Sequence, residues 1–150
     1  MKLANALSER SDIQKKLAQL QPRLNNNARV QEGDTPSEDP AELMQLLDDL
    51  YARLEELIAR INVTNSKTVS DGLTLTEWLA KRDCLKQKIS VLRGFLDSAS
   101  ARTDRYSNTE IRVRSTVDVR KTQKHLDALS GELRVIDERI QELNWLTDLL

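Results

Sequence analysis

Leucine, isoleucine and valine return along this chain at intervals of three and four in four separate stretches. That spacing predicts helices that each bury one side. The first stretch, residues 3–26, carries Leu3, Ala6, Ile13, Leu17, Leu20 and Leu24, with Arg10 in a stripe position. Pro22 lies inside the pattern and predicts a kink or an early end, and Asn25-Asn26-Asn27 predicts a stop. The second helix, residues 40–65, opens on Asp39 as cap, Pro40 in the first turn and Glu42 three residues after the cap. Its seam is Leu43, Leu47, Leu50, Leu54, Leu57 and Ile61, and Met44, Tyr51 and Ile58 widen it on one side. A stripe this wide suits contact with more than one neighbour.

A turn at Asp71-Gly72 leads to the third helix, residues 75–99. Thr74-Leu75-Thr76-Glu77 reads as its capping box, with Leu73 and Trp78 placed for a hydrophobic staple. The seam runs through Leu75, Trp78, Leu85, Ile89, Leu92, Leu96 and Ala99, with Arg82 as its polar exception. The fourth helix, residues 118–148, carries Val119, Leu126, Leu129, Leu133, Ile136, Ile140 and Leu143. The fold class is therefore all-α, an up-down-up-down four-helix bundle with coiled-coil-like seams and one domain over residues 1–150.

The connections are less regular. Between the third and fourth helices, Ile111, Val113 and Val117 alternate with Arg112, Arg114 and Thr116, a strand period. An up-down-up-down order places this connection beside the first, Ala28-Arg29-Val30-Gln31-Glu32. A short two-stranded pairing of the two is expected, because a lone strand leaves its backbone groups unsatisfied. The signs agree: Glu32, Asp34, Glu38, Asp39 and Glu42 on one side, Arg102, Arg105, Arg112 and Arg114 on the other. Glu32, Asp34, Arg105, Tyr106, Arg112 and Arg114 are the candidate pairing or binding residues at this end. Arg10 and Arg82 each lie seven residues into their stripes. They form either a polar layer fixing register or two stems laid along the core with heads in water.

Composition narrows the function. Lys and Arg number 23 against 24 Asp and Glu, for a net charge of -1, which argues against a protein held to nucleic acid by overall charge. No apolar run approaches the roughly 18–20 residues that span a bilayer, so no stable membrane insertion is expected. One cysteine, Cys84, excludes an intramolecular disulfide and suits a reducing cytoplasm. His125 stands alone, and neither it nor the acids at 32–42 match a metal-binding spacing. No catalytic residue, metal or cofactor is assigned. Trp145 falls off the fourth seam beside Leu146, and Phe95 off the third. These three are the candidate contacts of a homo-oligomer.

Several segments resemble the septicolysin-like family of small bacterial proteins: Val30-Gln31-Glu32-Gly33-Asp34, Glu38-Asp39-Pro40, Asp104-Arg105-Tyr106-Ser107, Ser115-Thr116-Val117-Asp118-Val119 and Ile140-Gln141-Glu142-Leu143-Asn144-Trp145. The resemblance implies a bacterial source and a helical fold, and its label implies a membrane-active, cytolysin-like protein. The residues themselves favour a non-enzymatic helical protein acting through protein–protein contacts. A ligand-binding protein or enzyme with its site at the paired-loop end is a further alternative.

Overall fold

The computed structural model describes residues 1–101 and 111–150. Its helices are α1 (Leu3–Asn26), α2 (Pro40–Lys67), α3 (Leu75–Ser100) and α4 (Val119–Leu146), with strands β1 (Val69–Ser70) and β2 (Leu73–Thr74) between α2 and α3. The all-helical, bundle-like class expected from the periodicity is the one found. The chain forms two compact units, Met1–Thr74 with Glu142–Leu150, and Leu75–Gln141.

In the first unit α1 and α2 pack as an antiparallel pair. Arg23 meets Glu38 near one end, and Arg53 meets Glu9 toward the other. Leu3, Ala6, Ile13 and Leu20 from α1, and Leu43, Leu54, Leu57 and Ile61 from α2, are buried. Each fully buried side chain of this size contributes about 1.5–3 kcal/mol. The start of α2 follows its sequence: the Asp39 carboxylate accepts from the Ala41 N–H at 2.9 Å, and Pro40 occupies the first turn. Pro22 does not end α1, which continues to Asn26. The N–H it lacks would have served the carbonyl four residues back, so only one bond near the helix end is forfeited.

The expected strand pairing of the first and third connections is not found among the described residues. Residues 28–39 and 111–117 contain no strand, and Arg102, Arg105 and Tyr106 lie outside the described residues. The two-stranded sheet lies instead in the second connection, where Val69 pairs with Thr74 and Ser70 with Leu73. Locality explains this outcome. Asp71 and Gly72 take φ of 51° and 79°, the backbone of a two-residue hairpin turn. Pairing across two residues costs far less closure entropy than pairing connections some eighty residues apart.

The first connection satisfies its backbone by another route. Asn27, 8% exposed, donates from Nδ2 to the Arg23 carbonyl at 2.8 Å and accepts from the Glu38 N–H at 3.0 Å. The Asp34 N–H closes a turn onto the Gln31 carbonyl, with Gly33 at φ 92°. One side chain thus ties the end of α1 to the approach to α2.

A second departure lies at the end of α4. The helix stops at Leu146, and residues 147–150 run alongside the start of the chain, where Lys2 and Asp148 form an antiparallel bridge. The Leu3 N–H donates to the Thr147 carbonyl at 2.9 Å and the Leu149 N–H to the Met1 carbonyl at 2.8 Å. Thr64 on α2, fully buried, anchors this strap. Its hydroxyl donates to the Arg60 carbonyl at 2.8 Å and accepts from the Leu150 N–H at 3.0 Å. Arg60 Nε donates to the Leu150 carbonyl at 2.8 Å.

In the second unit, Ile89 and Leu96 of α3 and Leu126 and Leu129 of α4 form the core, with Leu85, Leu92, Val119 and Leu133 half-buried around it. Asp118 caps α4 by accepting from the Lys121 N–H at 3.1 Å.

Candidate functional site

On α2 the seam that faces α1 leaves a second face bare. At about 100° per residue, Met44, Tyr51 and Ile58 fall within about 40° of one another. They are 54%, 55% and 39% exposed. Tyr51, Leu54, Glu55, Ile58 and Ala59 line a shallow apolar groove along this face. Asp48 and Glu55 stand beside the stripe, and both are exposed. The extra width seen in the sequence is therefore apolar surface that α1 does not cover.

In the second unit, Val91 and Phe95 are four residues apart on α3 and are 71% and 45% exposed. Lys88, seven residues before Phe95, shares their face and is exposed. Phe95, Ala99, Val113, Arg114 and Thr116 line one depression, so two of the residues singled out in the sequence, Phe95 and Arg114, border the same surface. Trp145 and Leu146 are 60% and 65% exposed.

Of the paired-loop candidates, Glu32 and Asp34 are exposed in the first unit, Arg112 and Arg114 are exposed in the second, and Arg105 and Tyr106 lie outside the described residues. Glu38, expected to face the basic connection, is paired with Arg23 of α1 instead. Arg10 and Arg82 are half-buried in different units, and the Arg82 guanidinium meets its neighbour Asp83 at 2.9 Å. His125 and Cys84 are exposed. Among the described residues no three His, Cys, Asp or Glu side chains gather in a way that could hold a metal ion, and no helix is long and apolar enough to cross a membrane.

The ion pairs of the first unit were not visible in the sequence. Arg53 joins two helices, meeting Glu9 of α1 at 2.7 Å and Glu56 one turn on at 2.7 Å. Hydrogen bonds from Arg53 Nε and Nη2 hold the Glu9 carboxyl below the usual range against its slight desolvation, and a separate bond from Arg53 Nη1 lowers Glu56. Arg23 lowers Glu38 and Lys2 lowers Asp148, again chiefly through the hydrogen bond.

A carboxylate depressed in the folded state binds fewer protons there than in the unfolded chain. Its stabilisation is complete above the ordinary carboxylate range, about pH 4, and is lost as pH falls through the depressed values. All four groups belong to the first unit. The urea midpoint is therefore expected to hold from neutrality to about pH 5 and to fall below about pH 4. A midpoint unchanged at pH 3 would contradict these pairs. Solvent exposure keeps the effect modest.

Residues 10–149 match DUF6847, a family of unknown function. A solved structure described as a functionally unknown conserved protein from Corynebacterium diphtheriae is 41% identical, with a TM-score of 0.93. The match covers 100% of this chain and 99% of that one. No curated protein matches the chain. These matches overturn the septicolysin-like resemblance, and the cytolysin reading that rested on it falls too. The segments that suggested it are short and lie mostly in connections and at helix ends, where similar polar residues recur for capping and turns.

Proposed function

Since the chain belongs to the DUF6847 family, of unknown function, we propose from its surface that it is a non-enzymatic helical protein that works by associating with copies of itself in a reducing cytoplasm. The observation that carries this reading is the α2 face. Met44, Tyr51 and Ile58 recur every seven residues, the spacing of a helix seam that a partner helix covers. Large contiguous apolar patches on a soluble surface mark contact sites. Phe95, Trp145 and Leu146 add exposed aromatic and aliphatic surface of the kind enriched at interfaces. The single exposed thiol, Cys84, suits a compartment in which thiols stay reduced.

The reading is tested by placing two charges on the face, Tyr51→Asp with Ile58→Asp. Both sites are exposed, so helical content by circular dichroism should be unchanged. Light-scattering mass should drop from a multiple of the chain mass to that of one chain. A variant that keeps the parent's oligomeric mass would remove this face from the assembly.

A further inference from the structure

The near-zero net charge conceals an asymmetry. Residues 1–74 with 142–150 carry nine Lys and Arg against fourteen Asp and Glu, whereas residues 75–141 carry fourteen against ten. The first unit is acidic and the second basic. The same signs border the two uncovered apolar stripes. On α2, Asp48 and Glu55 lie beside Met44, Tyr51 and Ile58; on the second unit Lys88 shares the helix face of Val91 and Phe95, and Arg114 lines the same depression as Phe95. Both stripes remain exposed in the single chain.

Resting on the self-association reading above, we infer that the acidic α2 face of one copy docks on the basic α3 face of a second copy. Charge selects this pairing over the alternatives. An α2 face laid on another α2 face would set Asp48 and Glu55 of the two copies against each other. An α3 face on another α3 face would do the same with Lys88 and Arg114. Like charges brought together at an interface are costly and suppress the wrong pairing, while opposite ones steer the right one. A second copy is the occupant because this chain carries both halves of the complement. One such contact rests on few large side chains. Two copies that exchange α2 and α3 faces reciprocally make the contact twice and use each face once, as a closed two-fold assembly does.

The experiment uses the full chain and two reversed-charge variants, Asp48→Lys with Glu55→Lys, and Lys88→Glu with Arg114→Glu. All four sites are exposed, so the fold of each unit is not at stake. Sedimentation should show that each variant alone associates about tenfold or more weakly than the parent, because every contact becomes like against like. An equimolar mixture should recover the parent's association, because each reversed face then meets its opposite on the other variant. If the parent associates and the variants associate equally well, or weaken without recovery on mixing, this pairing is wrong and the self-association reading stands. If the parent is a single chain at every concentration, the self-association reading fails and takes this pairing with it.

Discussion

Replacing Leu57 with alanine is expected to cost about 2–5 kcal/mol of stability, the range for truncating a buried leucine. Leu57 is fully buried at the centre of the α2 seam, between Leu54 and Ile61, which are buried with it. The seam that holds it belongs to the helix packed against α1, and close-packed surroundings relax only partly into the space. Loss of the methyl groups therefore adds a cavity cost to the lost transfer energy. Measured as a urea midpoint, the fall should be large beside that of Tyr51→Ala, six residues away, whose side chain is 55% exposed. Equal costs at the two positions would mean that the faces of α2 have been assigned the wrong way round.

The second large effect is expected at Thr64. Thr64→Val keeps the shape of the side chain and removes only the hydroxyl. That hydroxyl accepts from the Leu150 N–H and donates to the Arg60 carbonyl in a fully buried position. The carbonyl retains the bond that the helix itself supplies, but the Leu150 N–H is left without an acceptor. The cost of such a loss is about 1–3 kcal/mol. Its effect should concentrate in the strap formed by residues 147–150. Amide exchange of Leu149 and Leu150 should accelerate in the variant, while exchange in the second unit stays as it was. Uniform acceleration across both units would show that Thr64 acts on the whole fold rather than on the strap.

These positions show what the sequence makes legible and what it hides. The helices were readable because a seam such as Leu43, Leu54, Leu57 and Ile61 repeats at the helical period, and because Asp39-Pro40 announces a start in local chemistry. The exposed face of α2 was readable for the same reason, since Met44, Tyr51 and Ile58 widen a stripe already placed. Ile111 and Val113 mislead because their alternation has the period of a strand, yet residues 111–117 form none. They are 79% and 71% exposed, and seven residues can alternate without a sheet. The Asp71-Gly72 turn is legible, yet the strands it joins are two residues each, too short to leave a period.

Other features leave no local pattern at all. Asn27 looks like one of three asparagines at a helix end, and only the structure shows its side chain bonded to both Arg23 and Glu38. The bridge between Lys2 and Asp148 joins opposite ends of the sequence, and Thr64 reads as an ordinary polar residue near a helix terminus. Periodicity reports which side of an element is apolar. It does not report which distant backbone will be satisfied by a single hydroxyl or amide.

The central claim is that the apolar faces left bare on a single chain are covered by another copy. Sedimentation equilibrium of the unaltered chain, followed over a wide range of concentration, tests it most directly. A reversible rise from the mass of one chain to twice that mass is the predicted result, and a single-chain mass at every concentration would contradict the account.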